Sequence, residues 1–123
     1  MKKIIIKIND IKLEAELTNS ETAEEIYNAL PITAKISTWG DEIYFEIPVH
    51  VELDQTAKEV VDKGDLGFWP QGDCFCIFYG PTPASKGNEI RPASKVNIFG
   101  KVTSDTEILK TIKDNPEITI EKA

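Results

Sequence analysis

A chain of 123 residues, 41% hydrophobic and 28% charged, has the size and composition of one soluble globular domain (1–123) that can bury a core without staples. Its net charge of −7 comes without the clustered Lys and Arg that hold phosphates, which argues against nucleic acid and anionic membrane surfaces as partners. No apolar run approaches the roughly 20 residues needed to span a bilayer, so no membrane is expected.

The opening MKKIII loses its apolar character at Lys7, and no small-residue cleavage site follows. It reads as a first strand rather than a leader. Residues 3–17 alternate around Asn9-Asp10. A two-residue turn there sets Ile8 opposite Ile11, Ile6 opposite Leu13 and Ile4 opposite Ala15 on one face, with Lys3 meeting Glu16 on the other. A short helix comes next. Thr22 and Glu25 fit a capping box, Ala23, Ile26, Tyr27 and Leu30 form the apolar stripe, and Pro31 ends it.

Residues 35–47, KISTWGDEIYFEI, predict a hairpin about Gly40-Asp41. It pairs Trp39 with Glu42, Ser37 with Tyr44 and Lys35 with Glu46. Ile36, Thr38, Ile43, Phe45 and Ile47 then face the core, which turns the two aromatics and the carboxylates outward. Residues 49–63 read either as a strand plus loop or as a partial helix. In 64–79 a further hairpin turns at Pro70-Gln71-Gly72-Asp73. Leu66, Phe68, Phe75 and Ile77 point inward, and Trp69, Cys74, Cys76 and Phe78 point outward. The loop 80–95, GPTPASKGNEIRPASK, is long enough to suggest function. Residues 96–102 form a strand. Ser104 and Glu107 make a second capping box, for a helix burying Ile108, Leu109 and Ile112, and 117–122 is the last strand.

About eight strands and two short helices in this order predict a mainly β fold, a barrel or a sandwich, and a barrel leaves no exposed edges. The only cysteines, Cys74 and Cys76, stand two apart on a strand, a spacing that resists a disulfide. Without an export signal they read as reduced thiols of a cytoplasmic protein. His50 is the only histidine and makes no metal site, and GPTPASKG lacks the Gly-Lys-Ser/Thr order of a phosphate loop. No metal or cofactor is expected.

VNIFGKV, a short helix and EITIEKA together resemble the closing segment of cyclophilins. TWGDEIYFEIPV, GDLGFWP, CIFYGPTP and RPASKVNIFGKV resemble a family of small bacterial and archaeal cyclophilin-like proteins of unassigned function. The resemblance implies a closed antiparallel eight-stranded barrel with two short helices, and a groove on its outer face and adjacent loops. Cyclophilins are prolyl cis/trans isomerases that lower a barrier of about 18–20 kcal/mol. They use an arginine near the prolyl nitrogen and an apolar pocket for the ring. The strand that carries that arginine is TAKISTW here, and Lys35 is its only cation. Lysine does not replace a fixed planar donor. Cys74 and Cys76 align with the family's Gln and Phe, and Arg91 and Val96 with its loop Trp and following His. No catalytic set is carried over.

The resemblance and the pleat together point to a binding module for a small molecule or peptide segment, without efficient isomerase activity. A peptidyl-prolyl isomerase is the alternative. Trp39, Tyr44, Trp69 and Phe78 are its expected walls, though each ring could instead cover a gap in the barrel. Arg91 is the expected polar anchor, or else ties its loop to Glu42 or Glu46, and Thr82 is expected in the same cleft. Glu42 and Glu46 read either as an acid–base pair or as two solvated carboxylates, one paired with Lys35.

Overall fold

The computed structural model describes residues 2–123. In chain order the elements are β1 (Lys3–Ile8), β2 (Ile11–Leu17), α1 (Glu21–Asn28), β3 (Ile32–Lys35), β4 (Ser37–Thr38) and β5 (Glu42–Glu46). After them come β6 (Ala57–Lys58), β7 (Asp65–Trp69), β8 (Cys74–Phe78), β9 (Val96–Val102), a 3-10 helix (Glu107–Thr111) and β10 (Glu117–Lys122). All the strand pairs are antiparallel. The sheet runs β3-β10-β1-β2-β9-β7-β8-β5-β4, with β6 beside β9. Its two end strands follow one another in the chain through Ile36, so the sheet curls into a nearly closed barrel. No helix among the described residues is long and apolar enough to cross a membrane.

Register follows the alternation. Ile4, Ile6 and Ile8 face Ala15, Leu13 and Ile11 across the first hairpin. Leu66, Phe68, Phe75 and Ile77 join Ile43, Phe45 and the β1 isoleucines in one interior cluster. At its centre Phe75 stacks on Phe45 and meets Phe99 edge-on, both with ring centroids 5.0 Å apart. A second, smaller cluster lies on the outer side of β7–β8: Cys74, Cys76 and Phe78 with Val61, Ile90 and Val96.

Several local expectations give way to tertiary contacts. The cap of α1 is Ser20, whose hydroxyl accepts from the Ala23 N–H at 3.2 Å. Thr22 is instead buried inside the helix, where it accepts from Asn97 Nδ2 at 3.2 Å. The expected second helix is a 3-10 turn without a side-chain cap; Ser104 accepts from the Glu14 N–H across the barrel, and only Leu109 of the helix is buried. Ile108, expected in the core, is 45% exposed, because a five-residue 3-10 turn presents no continuous stripe. Lys35 does not face Glu46. The chain bends at Ile36, whose N–H bonds to Pro116 O, and Lys35 pairs with Glu117 on β10. Thr38, next to the hairpin tip, is exposed rather than inward. Residues 49–63 are loop with the short strand β6, anchored by the buried Asn97, whose amide donates to Glu52 O at 2.9 Å and accepts from the Asp54 N–H at 3.0 Å.

Candidate functional site

Pleat parity on β5 sends Glu42, Tyr44 and Glu46 outward, over Phe78, Cys76 and Cys74 of β8. On β7, Trp69 and Gly67 lie beyond Cys74 and Cys76. The outer sheet surface is thus built in three rows. Gly67 makes the middle row shallow: a Cβ there would lie 2.7 Å from Val96 Cγ2 and 3.1 Å from Phe78 Cε2. Its bareness lets β9 and the loop before it close over the sheet.

The result is a cleft of about 190 Å³ lined by Trp39, Glu42, Tyr44, Trp69, Pro92, Ala93 and Val96. Each wall is held by a different element. Trp39 stands at the tip of the β4–β5 hairpin, its N–H bonded to Glu42 O at 2.9 Å. That tip is clamped to the loop. Gly40, with φ +61°, sits so close that a Cβ would meet Pro81 O and Thr82 Cα at 2.9 Å. The Trp69 indole Nε1–H donates to Ser94 Oγ at 2.7 Å, which fixes the ring and ties it to the Pro92–Ala93 wall. Both indoles are half-buried and lie outside the interior cluster.

Glu42 is the only charged side chain of the lining, and it is 7% exposed. Burial pushes its carboxyl up from 4.5 to about 7, and a hydrogen bond with the Cys76 thiol offsets only part of this. No cation among the described residues contributes to its environment. Such a group is part protonated at neutral pH and can accept or donate in a water-poor setting. The Cys76 thiol is pushed well up, by burial first and then by Glu42. Cys74 is raised by burial and then by Glu46, Glu42 and Asp73. Neither has the lowered pKa of a nucleophile.

The expected site residues thus divide. Trp39, Glu42, Tyr44 and Trp69 come together in the cleft. Phe78 is fully buried beneath it and supports the floor from the second cluster. Glu46, on the same strand face, is exposed at the far row and outside the lining. Thr82 is buried as a staple of the loop: its hydroxyl donates to Arg91 O, and its N–H donates to Ser85 Oγ at 2.9 Å. Arg91 reaches neither Glu42 nor Glu46. Its Nε donates to Glu89 Oε2 at 2.7 Å, and it lines a separate shallow cleft with Glu59, Ser94 and Lys95 on the other side of Pro92–Ala93. The intervening Ile90 is buried, and that anchors the loop so that Arg91 falls outside. Pro92, Ala93 and Val96 were not among the expected site residues; the length of loop 80–95 was the sequence signal for the first two, and the alignment of Val96 with the cyclophilin histidine was the signal for the third.

Among the described residues, no cluster of three or more His, Cys, Asp or Glu side chains could hold a metal ion. His50 instead bonds Asp73 Oδ1 at 2.5 Å and Glu52, and both cysteines are free and buried.

A family model described as Cyclophilin-like matches residues 2–121. The chain belongs to the cyclophilin-like family. Its barrel superposes on the solution structure of the hypothetical protein AF2241 from Archaeoglobus fulgidus with a TM-score of 0.84. The two are 38% identical, over 99% of this chain and 95% of that one. A more distant match is the structure of McbB in complex with tryptophan, with a TM-score of 0.72 and 17% identity over 96% of this chain. The chain spans 44% of McbB, and a likeness at that identity is one of fold. A search of curated proteins finds no match.

Proposed function

We propose that this protein is a binding module whose outer-face cleft holds a small molecule or a short peptide segment, without efficient prolyl isomerase activity. One observation carries the reading. Two indoles and a phenol surround an open cleft with a single buried polar group, Glu42, at its wall. Ligand sites combine apolar walls with a few placed polar groups in this way. The volume of about 190 Å³ lies below the ~300–1,000 Å³ of pockets for drug-sized ligands, which favours a ligand of one or two rings. The tryptophan in the McbB complex is a ligand of that size class.

The isomerase alternative lacks its electrostatic tool. Lys35 pairs with β10 away from the cleft, and the only arginine is engaged by Glu89. A carboxylate at the wall does nothing for the prolyl nitrogen that an arginine would do.

Heteronuclear NMR titration that follows the Trp39 and Trp69 indole N–H signals tests the proposal, with single-ring compounds and Xaa-Pro tetrapeptides as probes. Saturable shifts of both indoles support it. If no probe moves either indole at millimolar concentration, the cleft is not a binding site. A protease-coupled assay that finds turnover typical of cyclophilins would restore the isomerase reading.

A further inference from the structure

We propose that the ligand of this cleft is a small organic ammonium ion, its nitrogen against the Glu42 carboxylate and its apolar body between Trp39, Tyr44 and Trp69. This rests on the cleft being a binding site and adds the charge of what it binds.

The case starts from an unbalanced charge. Glu42 is only 7% exposed, it lines the cleft, and its hydrogen-bond partner is the neutral Cys76 thiol rather than a cation. Ionised carboxylates are seldom held this way without a cation, because desolvation is not repaid. No Lys or Arg is among the residues that line the cleft. Arg91 is engaged by Glu89, Lys101 reaches Asp65 at 3.6 Å, and Lys63 pairs with Glu107. Uncompensated, the buried carboxyl keeps its proton up to about 7, and a cation entering the cleft would supply the counter-ion that no lining residue provides.

The walls select for the same species. Aromatic faces carry negative potential and attract cations, most strongly where water is excluded. Trp39, Tyr44 and Trp69 offer three such rings around one carboxylate. Trp69 cannot turn its indole N–H to a ligand acceptor, because Ser94 Oγ already takes it. The lining thus combines a carboxyl with three aromatic side chains and holds no fixed cation for an anionic ligand. At long range the net charge of −7 also favours approach of cations.

Glu42 sets the charge of the cleft by itself. The groups that face it are the Cys76 and Cys74 thiols on β8 and the Tyr79 phenol just beyond. All are raised, by burial first, and stay neutral through pH 8. Glu46 and Asp73 lie beyond Cys74, and Asp41 lies beside Tyr79, all adding negative potential. An alkylammonium keeps its charge between pH 5 and 8, so its affinity follows ionisation of Glu42. It strengthens as pH rises through about 7.

The experiment compares 2-phenylethylamine with its neutral relative 3-phenylpropanamide and with 3-phenylpropanoate, by the shifts of the two indole N–H signals at pH 8 and pH 5.5. The amine is expected to bind about tenfold or more tighter than either relative at pH 8. Most of that preference should vanish at pH 5.5. In Glu42→Gln it should vanish at both pH values. The wild-type pH comparison stands even if the variant misfolds. Amide or carboxylate binding as tight as the amine, or a preference that survives at pH 5.5, overturns the ammonium inference and leaves the cleft as a binding site. Absence of any indole shift with all the probes overturns both.

Discussion

Glu42 and His50 are the residues whose environments have measurable consequences. The folded protein holds the Glu42 proton up to about 7, whereas the unfolded chain releases it near 4.5. Between those values the native state binds more protons, so this group's contribution makes stability fall as pH rises from 4.5 to about 7. At about 1.4 kcal/mol per pKa unit the loss has an upper limit of about 3 kcal/mol. Glu42→Gln removes it. The variant is therefore expected to gain stability over wild type on going from pH 5 to pH 8 in urea titrations, and an equal difference at both pH values would contradict the burial argument. His50 behaves oppositely. Asp73 first and Glu52 second hold its imidazolium, raising its pKa above 6.5. Its stabilisation is present below 6.5 and fades as pH climbs through the folded value. NMR titration should find the midpoint above 6.5 in wild type and lower in Asp73→Asn, and an unmoved midpoint would show that Asp73 is not the cause.

The elements position the cleft through close approaches rather than through polar networks. The decisive one is at Gly67 on β7, where β9 comes down against the sheet through Val96. Gly67→Ala forces a methyl into that contact, so Val96, which lines the cleft, must shift. Overpacking of this kind costs about 1–3 kcal/mol. Calorimetry should show a lower melting temperature, and the Trp69 indole signal should move. A variant as stable as wild type would mean that the β7–β9 approach is looser than described. The hairpins were legible at this scale because their signals are local: a turn pair and period-two alternation set register without help from the rest of the chain. Helix caps were not. Thr22 has a capping residue type at a capping spacing, but the buried Asn97 amide needs an acceptor, and Thr22 supplies it. Ser20 therefore takes the cap.

Over the whole molecule, the two ends of the chain pair within the sheet, and β3 and β4 meet at its seam through Ile36. β10 lies between β1 and β3, with Ile118 and Ile120 fully buried. Removing it exposes edges on both neighbours and opens the interior beside Ile6 and Ile8. A chain ending at residue 115 is expected to lose cooperative thermal unfolding and near-ultraviolet circular dichroism, whereas a sharp transition near the wild-type temperature would show that β10 is dispensable. The same closure explains why Lys35 and Glu46 separate. β3 is recruited by β10 and β5 by β8, so the first hairpin strand splits at Ile36 between two neighbours.

Pleat parity was determined by the sequence alone. Alternation placed Ile43, Phe45, Phe68 and Phe75 inside and set Trp39, Tyr44 and Trp69 on the outer surface, because a one-residue slip would have exposed the whole apolar set. Which outer residues share a cleft was decided by tertiary structure. Glu42 and Glu46 are equivalent in the sequence, four residues apart on one strand face. β9 and the Pro92–Ala93 segment cover one and leave the other in water. Arg91 is likewise excluded by where Ile90 is buried, a long-range contact that no local pattern encodes.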